Sequence, residues 1–434
     1  MVQRIILNIT AAIFVGGAML LQDYVLATNL GISAEQDFYQ FTYLIISNIW
    51  NILSGGTYFA VAIPLLLNSH TKHIHLRFFL VYFSIVTLIC IVGCYILFSE
   101  SSFYRSNNAQ TLSNNLTLQL LIASIPIHLI ASYFSVKVIC KKLNFLATLT
   151  TVFIYLAIPV LAIFGGFSTI QAALAVCIGV IVQLVALILI SHLKKIHLND
   201  SPLNLNTISK INSNEIIINK IVEIFKIATA SILIAFLNWM ITAEYSSLGV
   251  GEVSKFLYAT KPSNMIAAFL TIVIANYLLA SFSEHIVKKE YIKFKKNVIH
   301  AYIFVFIISF IIIFIWHFFN EYFYQLMFYK SNIKFHEINQ MQYMSNITIF
   351  QLPLYMMGVV AWRGLNALSR NNEILKASVL SLVLFYILNT TLSINLEYKL
   401  LIIYIGTYFF WCAYLMLSIS LITQNLIKKR RYNI

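Results

Sequence analysis

Long apolar runs separated by short polar punctuation occupy almost the whole chain. The runs are apolar on every side rather than along one stripe, and each is about as long as the roughly 20 residues a helix needs to cross the hydrocarbon core. Twelve such spans are predicted, over residues 7–29, 38–67, 78–98, 117–139, 144–164, 168–192, 222–246, 255–280, 299–318, 345–367, 375–393 and 399–424. No alternating apolar and polar pattern of strand length interrupts them. The pattern predicts an all-α polytopic integral membrane protein of about twelve transmembrane helices. An even number of crossings puts both termini on one side.

Composition sharpens this reading. Sixty per cent of the 434 residues are hydrophobic and only 10% are charged, where a soluble chain carries about a quarter charged residues. With the N-terminus inside, all but seven of the 29 Lys and Arg fall on the inner side. Arg105, Lys330, Lys334 and Lys399 lie outside, and Lys255, Lys261 and Arg363 lie at or within the membrane. That asymmetry follows the positive-inside rule, so the net charge of +14 reports topology rather than nucleic-acid binding. The run Lys428-Lys429-Arg430-Arg431 places the C-terminus in the cytoplasm. The first apolar stretch continues past a signal-peptide core and ends without a small-residue cleavage motif, so it is expected to remain as a helix. No soluble domain is expected.

The polar stretch 193–221 divides the spans into two sets of six. It suggests an N-terminal lobe over 1–196, a cytoplasmic linker over 197–221 and a C-terminal lobe over 222–434. The halves share punctuation. Leu30-Gly31 is followed by Asp37-Phe38 at the opening of the second span, and Leu248-Gly249 by Lys255-Phe256 at the opening of the eighth, 218 residues later. A six-helix repeat keeps its orientation, so the halves are expected to be related by an axis along the membrane normal. The largest external loop is expected at 319–344.

Charges inside the membrane are costly, on the order of 3 kcal/mol each on insertion scales, and usually face a partner or a cavity. The candidates are Asp23 in the first span, Asp37 at the outer start of the second, Glu244 near the outer end of the seventh, Lys255 and Lys261 in the eighth and Arg363 in the tenth. Lys261 precedes Pro262, so a kink is expected at its backbone; snorkelling to the interface is the competing role. Arg363 is the second candidate for an anionic ligand; Asp23 is a further substrate-site candidate that would pair with a basic group or titrate with a coupling ion. Glu244 is a candidate for ion coupling. Asp37 and Lys255 hold matching places in the halves with opposite sign, and are expected to meet at the outer mouth as a gate pair. Pro64, Pro126, Pro159 and Pro353 are further kink candidates.

Other constellations carry no chemistry. Cys90 and Cys94 share a helix face but lack a second ligand pair, and Cys140, Cys177 and Cys412 lie in or beside apolar runs, so all five are read as packing residues rather than metal or redox sites. His70, His73 and His75, with Lys72 and Arg77, are expected in a solvated inner turn. The external loop offers Glu321, Glu337 and His336, with no clustered carboxylate pair for acid–base catalysis. No catalytic residue, cofactor or metal is expected, and no nucleotide-binding loop is present to drive transport.

Two blocks resemble a known family. The run Asp23-Tyr-Val-Leu-Ala-Thr-Asn-Leu-Gly31-Ile-Ser-Ala-Glu-Gln-Asp37-Phe-Tyr-Gln-Phe, continuing through Gly56 to Pro64, resembles the first loop and second helix of MviN/MurJ-type lipid II flippases. Gly251-Glu-Val-Ser-Lys-Phe-Leu-Tyr258-Ala-Thr-Lys261-Pro262, through Ser281-Phe-Ser283, resembles that family's eighth helix. Trp362-Arg363-Gly-Leu-Asn-Ala-Leu-Ser-Arg370 is a weaker match to its tenth. The resemblance implies two six-helix lobes around a central cavity and alternating access. It also implies a polyprenyl-pyrophosphate-linked sugar as substrate, in the bacterial inner membrane. Membrane lipids are the implied partners, glycan biosynthesis enzymes further candidates, and a monomer the implied state. A cavity cation would suit pyrophosphate through charge-assisted hydrogen bonds.

Departures from the family refine the expectation. Where it carries arginines in its first two helices, this chain has Gly16, Gln22 and Trp50, and the basic residue of the eighth helix is Lys261. The chain ends after a twelfth span, where the family has two more. These differences favour a flippase for a capsule, exopolysaccharide or O-antigen repeat unit. The alternatives are a cation-coupled small-molecule exporter of the same superfamily and a membrane-embedded polymerase or acyltransferase.

Overall fold

The computed structural model describes residues 2–67, 75–101, 109–141, 143–164, 167–194, 213–271, 276–328, 333–392 and 396–432, and every regular element among them is helical. By its internal contacts the chain forms two compact units. Unit 1 comprises Met1–Asn29 with Phe41–Ala228, and unit 2 comprises Leu30–Gln40 with Thr229–Ile434. Most of the expected linker lies outside the described residues, but its end from Ser213 is already helical.

Unit 1 contains α1 (Val2–Leu30), most of α2 (Ala34–Asn51), a π-helical segment at Ile52–Tyr58, α3 (Phe59–Leu67), α4 (His75–Ser101), α5 (Ala109–Cys140), α6 (Asn144–Thr150), α7 (Val152–Ile163) and α8 (Thr169–Leu193). The segment carries Gly55-Gly56, which weakens an α-helix by roughly 1 kcal/mol per glycine relative to Ala. Its altered backbone is satisfied locally: the Thr57 hydroxyl lies 2.7 Å from the Ile52 carbonyl, and Tyr82 donates to the Leu53 carbonyl at 2.9 Å. Ser168 and Gln171 form a capping box that starts α8. Gly179 then lets α8 press on α7, where a Cβ would stand 2.7 Å from the Ile154 Cα.

Unit 2 contains the end of α9 (Ser213–Ser246), α10 (Glu252–Leu270), α11 (Asn276–Val287), α12 (Tyr291–Phe328), α13 (Phe335–Thr348), α14 (Gln351–Ala367), α15 (Asn371–Thr391) and α16 (Leu396–Tyr432). α14 packs on α16 through Gly358, where a Cβ would lie 2.2 Å from the Trp411 ring. α13 and α14 bend by 42° at Ile349–Phe350, four residues before Pro353, whose ring excludes a straight helix through the Ile349 carbonyl. The expected external loop at 319–344 is corrected: α12 runs on to Phe328, and α13 begins at Phe335.

Among the described residues nine helical stretches are long and apolar enough to cross a membrane, and the bent α13–α14 pair makes a tenth. The other two predicted spans, the second and eighth, are interrupted, and they are interrupted alike. α2 opens at Ala34 and α10 at Glu252, 218 residues on; α2 yields to the π-helical segment at Ile52, and α10 ends at Leu270. Gly31 and Gly249, separated by the same offset, both have positive φ (61° and 143°).

The solvated turn expected around His75 is also corrected. His75 opens α4 with 2% exposure, and its Nε2 lies 2.9 Å from the Tyr58 hydroxyl. The side chain was drawn in by aromatic packing, since its ring stacks on Tyr133 at 5.2 Å. His70, His73 and Lys72 lie outside the described residues. Cys177 and Cys412 are buried and Cys90 and Cys140 half-buried, none of the four in a disulfide.

Candidate functional site

The polar groups of unit 2 gather along α10, beginning at its first turn. The first amides of a helix have no intrahelical acceptor and carry the positive end of its dipole. Here they face Asp37, from the first turn of α2. The Gly251 amide donates to Asp37 Oδ2 at 2.7 Å, the Ser254 amide to Oδ1 at 2.9 Å, and the Ser254 hydroxyl to Oδ1 as well. Asp37 thus caps a helix more than 200 residues away in sequence. Gly251 is required at this join twice over: its φ is +89°, and a Cβ would stand 2.1 Å from Ile32 Cγ2.

The expected pairing of Asp37 with Lys255 is replaced by other partners. Lys255 is 6% exposed; its ammonium donates to Glu252 one turn earlier and to Gln340 Oε1 of α13 at 2.9 Å. The carboxylate follows the converging amides, and the ammonium follows its nearest acid at i−3. Glu244 stands half-buried in the last turns of α9, and its neighbour Tyr245 stacks on Phe256 of α10 at 4.2 Å.

One turn further down, Gln36 donates to the Tyr258 hydroxyl at 2.8 Å. Pro262 lacks an N–H, so it cannot satisfy the Tyr258 carbonyl. The fully buried Tyr324 of α12 does so instead, its hydroxyl lying 3.1 Å from that carbonyl and 3.3 Å from that of Ala259. With this carbonyl satisfied from outside, α10 continues as one helix through Pro262 to Leu270.

Lys261 is half-buried, six residues or about 9 Å along the helix from Lys255. It belongs to a stripe of α10 that packing leaves uncovered: Leu257, Lys261, Asn264, Met265 and Ala268 are half-buried or exposed, whereas Thr260, Pro262 and Ser263 are buried. Gln351 of α14 donates to Asn264 Oδ1 at 3.2 Å, and the Thr271 hydroxyl lies 3.8 Å from Met356 Sδ, so α10 and α14 run side by side in the same direction. On that register Arg363 lies about 24 Å from Lys261 along the helix axes. The two cations are therefore not brought to one point. Arg363 is half-buried beside the half-buried Trp362, within electrostatic range of Tyr355.

In unit 1, Asp23 is 2% exposed beside the equally buried Gln22, within electrostatic range of Tyr155. Trp50 is 5% exposed and stacks on His128 at 5.1 Å. Ser254, Gln36, Gln340 and Tyr324 escaped sequence reasoning. Gly251 with Ser254 three residues on does hint at a helix start, but the other three partners join elements far apart in sequence and left no local trace.

Comparison with solved structures gives the fold. The chain superimposes on an inward-facing multidrug resistance MATE family transporter of the MOP superfamily with a TM-score of 0.72 at 13% identity, over 98% of this chain and 99% of that one. An outward-facing form gives 0.72 at 12% identity, over 97% of each chain. The lipid II flippase MurJ in an inward closed conformation gives 0.68 at 13% identity, over 96% of this chain and 87% of that one. No curated protein sequence matches the chain. The family model of the lipid II flippase MurJ matches residues 26–432. That match takes in the Asp37 cap, the Lys261 stripe and Arg363, and the chain is a multi-pass membrane transporter belonging to the MurJ lipid II flippase family.

Proposed function

We propose that this protein carries a polyprenyl-pyrophosphate-linked oligosaccharide from the cytoplasmic to the external leaflet by alternating access, with Lys261 meeting the pyrophosphate. The observation that carries this reading is the placing of Lys261 on the uncovered stripe of α10, about 15 Å below the Gly251 amide that Asp37 holds. An ammonium kept from full solvation interacts more strongly with a phosphate oxygen than one in water. Asp37 and the first turn of α10 act as a latch at the outer end, with Lys255, Glu244 and Gln340 around it. Arg363, farther along, meets the charged group at a different stage of its passage. Asp23 titrates with, or holds, the coupling ion.

The substrate differs from lipid II in this reading, because Gly16, Gln22 and Trp50 supply no cation where the family carries arginines. With fewer charges to match, a repeat unit of capsule, exopolysaccharide or O-antigen fits better. The positive-inside pattern supports the inner membrane with both termini cytoplasmic. The protein works as a monomer beside the enzymes that assemble the glycan. The test is radiolabelled sugar tracing in a deletion strain. Polyprenyl-pyrophosphate-linked units should accumulate on the cytoplasmic face and be cleared by the wild-type gene. Normal surface glycan without accumulation would favour a cation-coupled small-molecule exporter, the reading that the fold shared with MATE transporters supports.

A further inference from the structure

Lys137, in the last turn of α5, is 7% exposed, and its ammonium makes no hydrogen bond among the described residues. It rests on the face of the Tyr133 ring, 3.6 Å from the centroid. Tyr133 in turn stacks on His75, the first residue of α4, which is bonded to Tyr58. Cation–π contacts with Tyr133 and, at 5.5 Å, with Phe134 offset only part of the cost of withdrawing an ammonium from water. A carboxylate would be the usual remedy, and the described elements packed on α5 (α3, α4, α6, α8 and the π-helical segment) offer none at this end. Between Phe38 and Asn199 the only acidic residue is Glu100, at the opposite end of α4 and about 38 Å away along it. The groups that do lie at this end are basic: exposed Arg77 on α4, exposed Lys141 after α5, and His192 and Lys194 at the end of α8. The π-helical segment and α3 bring no charge.

We propose that the end of unit 1 where α4 begins and α5 ends binds the phosphate group of a membrane lipid, with Lys137 and His75 as its ligands. The first amides of α4 face the same end and add the positive pole of a 27-residue helix. The four-carbon stem of Lys137 lets its ammonium swing from the Tyr133 ring to a phosphate oxygen, and the imidazole of His75 supplies a second donor. Among the described residues, α3, α5, α6, α8 and the first turns of α4 carry no carboxylate that would repel an anion here. Two lipids share this chemistry: the pyrophosphate-linked carrier, waiting at its point of loading, and an anionic phospholipid of the surrounding leaflet. Loading from the cytoplasmic leaflet rests on the function and topology proposed above; phosphate binding itself does not.

The experiment is native mass spectrometry of the full-length protein in detergent with three probes: polyprenyl pyrophosphate, phosphatidylglycerol, and polyprenol, which has no phosphate. The variants are Lys137→Gln, His75→Gln and Lys137→Arg. At least one phosphate lipid should bind the wild type and Lys137→Arg alike and fall about tenfold in occupancy in Lys137→Gln and His75→Gln, with polyprenol unaffected. A fall confined to polyprenyl pyrophosphate identifies a loading site, and a fall confined to phosphatidylglycerol identifies a lipid-anchoring site. The second result leaves phosphate binding standing even if flipping is refuted. If Lys137→Gln does not fold, His75→Gln carries the test from the other helix. Unchanged binding of both phosphate lipids in the folded variants would overturn the proposal.

Discussion

Asp37 and Ser254 lie 217 residues apart, yet Asp37 Oδ1 accepts both the amide and the hydroxyl of Ser254 while Oδ2 accepts the amide of Gly251. A carboxylate from one broken helix is thereby bound to the positive end of another. Such a contact is strong while formed and directional enough to be released as a unit, which suits a latch.

Asp37→Asn should weaken this join, because an amide offers one acceptor oxygen and no charge. Loss of a helix cap costs about 0.5–2 kcal/mol. Hydrogen exchange should therefore speed up at Gly251–Lys255, and export should fall. Unchanged exchange there would argue that the cap contributes nothing to holding α10.

Gly251→Ala is expected to be more damaging than most surface changes, since it adds strain at φ +89° and a clash with Ile32. Pairing it with Ile32→Ala should recover the part due to the clash and leave the backbone part. The melting temperatures of the four proteins check this. Full recovery would mean the backbone conformation is not strained.

Tyr324→Phe removes the hydroxyl that serves the Tyr258 carbonyl and should destabilise unit 2 by about 1–3 kcal/mol, the cost of an unsatisfied buried acceptor. The same substitution should cost much less in a Pro262→Ala background, where the restored N–H can bond that carbonyl. An equal cost in both backgrounds, measured as a double-mutant cycle, would contradict the compensation.

The turn between α11 and α12 should respond to acid. Glu290 bonds Lys293 at 2.8 Å and His285 at 3.0 Å, and these contacts hold its carboxyl below the ordinary range. A depressed folded pKa stabilises above the unfolded value and loses that contribution as pH falls through the folded one. Exchange over residues 284–297 should therefore rise only below the usual carboxylate range, about pH 4. Glu290→Gln should remove the part of the acid response centred on Glu290 and leave the part due to Glu284, which Lys288 also holds below the ordinary range.

The all-helical membrane architecture and the gathering of polar groups on α10 were legible in the sequence, because membrane helices must be apolar throughout and their charges stand out. The shared punctuation at Gly31 and Gly249 marked two turns, each with a glycine at positive φ. The partners were not legible. Asp37 and Lys255 invited pairing by opposite sign, but the amides of a helix end outcompeted the ammonium. The carbonyl that Pro262 leaves open finds its donor in Tyr324, a tyrosine from α12. His75 looked solvated among basic neighbours, while aromatic stacking with Tyr133 drew it inside. Each miss turns on a contact between segments far apart in the chain.

The central claim is that Lys261 meets a pyrophosphate during flipping. Its most direct measurement is the rate at which a fluorescent polyprenyl-pyrophosphate-linked sugar crosses the bilayer of vesicles containing wild-type, Lys261→Arg or Lys261→Ala protein. Folding is checked by melting temperature, and orientation by protease access. The account predicts flipping in the wild type, substantial activity in Lys261→Arg and background rates in Lys261→Ala at unchanged stability. Wild-type flipping by a well-folded Lys261→Ala protein would contradict it.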